Sequence, residues 1–272
     1  MVFSKSEEEQ FTNVSTVLSR LRAKKPFSKA SKFLFHVSSV DYLGYIVSSE
    51  GLKMNQARFQ KILNWPPPRI LKALQSCLEF AYFYHHLINN YSKKISSLTS
   101  FLKKDSCFPL NEEDLRQFHK LREALITAPI LSHFNPSSPT IVETDSSYYS
   151  LGAVLSQVSD SGEHPIEFDS CKLLPAELNY DIHYKELLGI VWSLKSWRDF
   201  LLPIFSSFEV LTDHSSLQYS MSSKILTCNQ AHWAEFLNDL PPWPLSYPSR
   251  CIVTSGQCLP REGGRFHQQE SN

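Results

Sequence analysis

The sequence predicts an α/β protein, α+β overall, in which a helix-rich first half precedes a mixed sheet with flanking helices. Three observations predict it. Apolar residues recur at helical spacing in most of the stretch before residue 128. Beyond Pro139 the order becomes strand, strand, strand, helix, strand, helix, with short turns between the first three, which is the order of an α/β domain with a mixed sheet. Of 272 residues, 42% are hydrophobic and 20% charged, enough apolar material for a core and unlike a disordered chain.

The elements follow in order. Ser6 and Glu9 form a capping-box pair before a helix carrying Phe11, Val14, Leu18 and Leu21, with Glu7 and Glu8 at its positive end and Lys24 and Lys25 at its negative end. Phe33 to Val37 and Val40 to Val47 read as strands, punctuated by Gly51. Asn55 caps a short helix with Phe59, Ile62 and Leu63 that the Trp65-Pro66-Pro67-Pro68 run stops. Leu71, Leu74, Leu78 and Ala81 line a longer helix, and Leu115, Phe118, Leu121 and Leu125 another. Pro129 to Pro139, with three prolines and several serines, reads as a linker. Then come strands over 140–144, 151–158 and 165–170, a long helix over 176–202, a strand over 208–212 and a helix over 230–240. The tail from Pro248 has no periodicity and is expected to be disordered.

Composition and patterning exclude several classes. No stretch approaches the ~18 uninterrupted apolar residues of a membrane span, and charged Met1 to Gln10 do not resemble a secretory signal. The expectation is an intracellular protein, cytoplasmic or nuclear. The six cysteines are scattered without a Cys-x-x-Cys pair, which argues for reduced, mostly buried thiols over a zinc ribbon or disulfide framework. The net charge of zero hides an asymmetry. Residues 1–130 hold 19 Lys/Arg against 11 Asp/Glu, a balance of +8, and residues 131–272 hold 8 against 16, a balance of −8. Such halves suit a polyanion grip beside a site that collects cations, or two solvated faces of opposite bias.

Asp145 follows one predicted strand and Asp213 another, and acids at the ends of neighbouring strands converge at one edge of an open sheet. Glu186 lies on the long helix, whose stripe is Leu187, Ile190, Val191, Leu194, Trp197 and Leu201. At about 100° per residue it falls on the same face as Ile190 and Trp197 and points at the sheet. Singly, each acid also reads as a turn or surface charge. Together they repel one another unless divalent cations join them, and an oxygen-only set selects magnesium or manganese. Two such ions about 4 Å apart can activate a water and stabilise a leaving oxygen in phosphodiester hydrolysis. His183 and Glu186 have i, i+3 spacing, but without a second such pair they do not make a zinc or iron site.

The runs Val142-Glu143-Thr144-Asp145-Ser146-Ser147, Leu151-Gly152-Ala153-Val154-Leu155-Ser156-Gln157, Leu174-Pro175-Ala176-Glu177-Leu178-Asn179-Tyr180-Asp181, Lys185-Glu186-Leu187-Leu188 and Leu211-Thr212-Asp213-His214 resemble the ribonuclease H domain of gypsy-type LTR retrotransposon polyproteins, in order and spacing. Tyr42-Leu43-Gly44-Tyr45-Ile46-Val47, Ile62-Leu63-Asn64-Trp65-Pro66 and Ala128-Pro129-Ile130-Leu131 extend the resemblance back to the end of the reverse transcriptase palm, the thumb and the connecting segment. The resemblance implies a partial palm over 1–54, a helical thumb and connection over 55–128, a linker over 129–139, a ribonuclease H-like domain over 140–247 and a divergent tail over 248–272. It implies that Asp145, Glu186 and Asp213 bind two Mg²⁺ (or Mn²⁺) ions and cut the RNA strand of an RNA–DNA hybrid. Lys24, Lys25, Lys93, Lys94, Lys103 and Lys104 become candidate nucleic-acid contacts, and other retroelement pol or gag products become candidate partners, with no membrane involved.

The chain also departs from the family. The Tyr-x-Asp-Asp polymerase motif would precede Val2, so no DNA synthesis is expected of this chain alone. The fourth acid, typically in Asp-Ala-Leu-Ser, has no counterpart after Pro248, which suggests a frame slip there. Its loss would reduce activity or leave a catalytically inactive nucleic-acid-binding remnant, and without the last helix residues 140–247 alone should be marginally stable. His85-His86 stand where the family usually has arginines and are expected on a helix surface, not at a metal, because adjacent helical side chains diverge by about 100°.

Overall fold

The computed structural model describes residues 2, 4, 6–25, 29, 33–103, 108–204, 207–212, 232–233, 235–237, 240 and 245–246. Helix α1 (Glu7–Lys24) begins as expected: the Glu9 N–H donates to Ser6 Oγ at 3.2 Å. None of its residues is buried.

The first β region differs from expectation. Phe33 to Val37 form no strand, because His36 adopts a left-handed φ of 55° that interrupts an extended run. Val40 to Val47 split at Leu43-Gly44, both at positive φ (52° and 85°). These two residues turn β1 (Ser39–Tyr42) back onto β2 (Tyr45–Ser48) as a two-residue hairpin. β3 (Gly51–Met54) completes an antiparallel three-stranded sheet.

Asn55 then caps α2 (Gln56–Leu63), its Oδ1 accepting from Ala57 N at 2.7 Å. Helices α3 (Leu71–Phe83), α4 (Tyr91–Lys94), α5 (Ser96–Ser100) and α6 (Glu112–Ile126) follow. Leu74, Leu78 and Ala81 of α3 and Phe118, Leu121 and Leu125 of α6 form a buried core with Ile62, Tyr84, Leu87 and Leu98, onto which Tyr45 of β2 and Met54 of β3 pack. Between α3 and α4, His85–Leu87 make a single 3₁₀ turn.

The second sheet has the order β6-β5-β4-β7-β8, from β4 (Thr140–Ser146), β5 (Ser150–Ser159), β6 (Gly162–Lys172), β7 (Glu209–Thr212) and β8 (Leu245–Ser246). β4, β5 and β6 are antiparallel neighbours, whereas β7 runs parallel to β4, with Thr144 opposite Thr212, and β8 parallel to β7. The helix expected from Ala176 starts later, as α7 (Ile182–Ser196) continued by α8 (Arg198–Leu201). Glu177 Oε2 accepts from Leu174 N at 2.7 Å, and Tyr180 and Asp181 are extended, so the chain turns through a 3₁₀ segment before α7.

Each face of this sheet has its own cover. Val142, Ala153, Leu155 and Val210 pack against Ile190, Val191 and Leu194 of α7 and Trp197 at its end. On the other face, Val154 and Phe168 pack into the helical core, and Ser92 of α4 exchanges two hydrogen bonds with Ser170 (2.8 and 3.0 Å). Gly152 lies under Asn90; an added Cβ would sit 1.8 Å from its Oδ1. Between the two sheets, Leu131 pairs with Leu52 in both directions (2.7 and 3.0 Å) and Ser132 N donates to Pro165 O at 2.8 Å.

Among the described residues no helix is long and apolar enough to cross a membrane. Cys77 and Cys171 are half-buried free thiols; Cys107, Cys228, Cys251, Cys258 and the tail from Pro248 lie outside the described residues.

Candidate active site

α7 turns Glu186 inward as its stripe requires. Leu187, Ile190, Val191, Leu194, Trp197 and Leu201 are all buried, and Glu186 itself is 2% exposed. A carboxylate at that depth is costly unless bonded. Ser146 Oγ donates to its Oε1 at 2.6 Å and Thr212 Oγ1 to its Oε2 at 3.4 Å. Those donors sit at the C-terminal ends of the adjacent parallel strands β4 and β7. Ser146 follows Asp145 directly, and Thr212 precedes Asp213.

Asp145 lies inside β4, not after it, paired with Gly152 and exposed. Side chains alternate along a strand, so Asp145 springs from the face opposite the one on which Ser146 meets Glu186 of α7. Asp213 and its neighbour His214 lie outside the described residues. The structure therefore brings Glu186 to Ser146 and Thr212, the sequence neighbours of Asp145 and Asp213. Beside it, Lys185 is buried; its Nζ donates to Leu178 O at 2.9 Å and stands 5.0 Å from the Tyr148 ring centroid. Ser146 and Thr212 were not singled out from the sequence, although each adjoins a flagged acid and the parallel β4–β7 register would have found them.

The candidate nucleic-acid lysines fall in two places. Lys24 and Lys25 are exposed at the end of α1. Lys93 and Lys103 are exposed near α4 and α5, and Lys94 is half-buried with its Nζ donating to Asn89 O at 2.6 Å. Burial, then the Lys93 charge, lowers the Lys94 pKa. Lys104 lies outside the described residues. Lys172, at the end of β6, donates to Thr99 Oγ1 and lines a cleft with Ser92, Ser96, Ser97, Tyr149 and Ser150. Burial and then Lys103 lower its pKa. No periodic signal marks a lysine at the end of a strand.

His85 and His86 do not lie on a helix surface. They are half-buried in the 3₁₀ turn with their ring centroids 3.7 Å apart, beside β6. His86 Nδ1 is 2.7 Å from Glu167 Oε1 and 3.2 Å from Phe168 O. Burial opposes its charge, but the hydrogen bond and charge of Glu167 and the charge of Asp169 outweigh it, so its pKa is raised. Burial, then His86, lowers that of His85.

The sequence and the fold both have counterparts among known proteins. Residues 110–210 match the model of the RNase H-like domain found in reverse transcriptase, a span that starts just before α6 and includes Asp145 and Glu186. The Tf2-3 and Tf2-4 transposon polyproteins of Schizosaccharomyces pombe (strain 972 / ATCC 24843) are each 33% identical over 242 residues, 88% of this chain and 18% of the polyprotein. The chain thus spans under a fifth of the length of these relatives. In fold it is similar to a foamy viral protease-reverse transcriptase dRH in complex with double-stranded DNA (TM-score 0.71, 22% identity, 93% of this chain and 45% of that chain). It is also similar to the foamy viral enzyme in complex with an RNA/DNA hybrid (TM-score 0.70, 20% identity, 98% and 37%). Residues 110–210 therefore belong to the RNase H-like domain family of reverse transcriptases, within a chain homologous to one stretch of a gypsy-type retrotransposon polyprotein.

Proposed function

We propose that this chain hydrolyses the RNA strand of RNA–DNA hybrids, with Asp145, Glu186 and Asp213 holding two Mg²⁺ or Mn²⁺ ions. The supporting observation is the placement of Glu186: buried on α7 and bonded by the residues that adjoin Asp145 and Asp213 at the ends of two neighbouring parallel strands. The donor set is all oxygen, which fits a hard divalent cation and not zinc. Such ions, when bound, supply charge to activate a water and to stabilise the leaving oxygen. The chain's own part is positional. Ser146 and Thr212 fix both oxygens of Glu186, and α7 holds the carboxylate against the sheet where water is scarce. Lys93, Lys103 and Lys172 provide positive charge for a phosphate backbone beside the β5–β6 end of the sheet.

The test is cleavage of a labelled RNA–DNA hybrid with Mg²⁺ or Mn²⁺. Metal-dependent cutting that Asp145→Asn lowers by orders of magnitude supports hydrolysis. Equal cutting by both proteins indicates a contaminating nuclease and refutes it.

A second reading is a nucleic-acid-binding module without catalysis. It draws on the exposed Asp145, rooted on the sheet face opposite Ser146. Hybrid binding without cleavage, weakened by added salt, is its expected result. On either reading other pol or gag products remain candidate partners.

A further inference from the structure

We infer a second metal centre, for a divalent transition-metal ion of the zinc class, at His85, His86 and Asp169. All three are half-buried, and one ligand atom from each lies within 4.8 Å of the others. They come from two elements: the histidines from the 3₁₀ turn after α3, the aspartate from edge strand β6. Two imidazoles and one carboxylate form a mixed nitrogen–oxygen set, which suits zinc, cobalt or nickel and is a poor match for magnesium. Three protein ligands leave a further coordination position for water.

A shell of hydrogen bonds around these ligands supports the assignment independently. His86 Nδ1 faces Glu167 Oε1 at 2.7 Å, and His85 Nδ1 faces Tyr82 O at 2.5 Å. Both partners are acceptors, so each Nδ1 carries the proton and Nε2 is the nitrogen that a neutral ring offers a cation. A carboxylate or carbonyl behind a ligating histidine is the usual outer shell of a metal site, fixing tautomer and ring direction. Asp169 is oriented in the same way, Oδ2 accepting from Ser196 Oγ at 2.6 Å and Oδ1 from Ser170 N at 2.8 Å. The ion would tie three parts of the fold together: the helical unit through the histidines, the edge of the sheet through Asp169, and the end of α7 through Ser196. Its role is that of a clamp, independent of hydrolysis by the carboxylate set.

The test uses the full chain stripped of metal, titrated with Co²⁺ as a visible probe and then with Zn²⁺. The expected result is one equivalent bound, with the visible bands of a nitrogen–oxygen set, persisting in excess Mg²⁺ and unchanged in Asp145→Asn. His86→Ala and Asp169→Asn should each weaken binding at least tenfold, and Glu167→Ala, which removes the acceptor behind His86, by about 10- to 100-fold. Wild-type protein should also melt at a higher temperature with Zn²⁺, a rise that the His86 variant lacks. Should His86→Ala lower the metal-free melting temperature, His85→Ala carries the same test, since its ring bonds to Tyr82 O at the end of the preceding helix and not to the sheet among the described residues. Failure to bind an equivalent, equal binding by the variants, or a near-ultraviolet thiolate band would overturn the site.

Discussion

The two faces of the five-stranded sheet are covered by different chemistry. Against α7 the contact is mainly apolar and deep, with Leu155, Leu194, Trp197 and Val210 at or near zero exposure and polar contacts at Glu186 and Ser196. Against the helical unit, Val154 and Phe168 supply some apolar contact, but the interface is drawn mainly by polar pairs: Ser92 with Ser170, His86 with Glu167, Lys172 with Thr99, and Asn90 seated over Gly152. Apolar burial scales with area and is tolerant of register, whereas a hydrogen bond contributes only about 1 kcal/mol net but is directional. The α7 face therefore carries most of the stability, and the other face sets where the helical unit sits.

The sharpest way to break this contrast is Leu194→Ala, expected to destabilise by about 2–5 kcal/mol in denaturant unfolding; a loss below 1 kcal/mol would mean the α7 face is not the main core. Next is Gly152→Ala, whose new methyl would displace Asn90 and cost about 1–3 kcal/mol. A neutral result would show that the helical unit shifts freely on the sheet. Ser92→Ala removes a hydroxyl that donates to Ser170 O while keeping the backbone bond, and should cost about 1 kcal/mol. The smallest effect is a pH signature. Burial, then the charges of Asp169 and Glu177, pushes the Cys171 thiol up from 9.0 to about 12. In folded protein its alkylation at pH 9 should lag far behind that of unfolded chain. Between those two values the unfolded thiol has lost its proton and the folded one has kept it, so this group's contribution to stability falls as pH rises. Mass-spectrometric mapping of the labelled site checks the first statement, and denaturant midpoints in Cys171→Ser against wild type check the second.

What the sequence revealed was mostly local or periodic. The Ser6 and Asn55 caps, the α3 and α6 stripes and the inward turn of Glu186 all follow from spacing, and the structure contains each of them. The Phe33–Val37 strand failed because apolar β-formers do not disclose a left-handed residue such as His36. The hairpin at Leu43-Gly44 was hidden because leucine is a poor marker of positive φ. Long-range pairs had no sequence signal at all: His86 meets Glu167, and Ser92 meets Ser170, across some eighty residues. Of the candidate site, the carboxylates stood out by position, while their hydroxyl partners and the histidine pair became visible only once the strands were laid side by side.

The segment holding Leu131 and Ser132 has a consequence for handling the protein. Its prolines and serines suggest an easy place to cut, yet Leu131 is 2% exposed and is pinned to Leu52, while Ser132 is pinned to Pro165. A protease needs several consecutive residues drawn out into its cleft, so this strap should survive digestion that removes exposed chain elsewhere, and excising the sheet there would tear the seam between hairpin and edge strand.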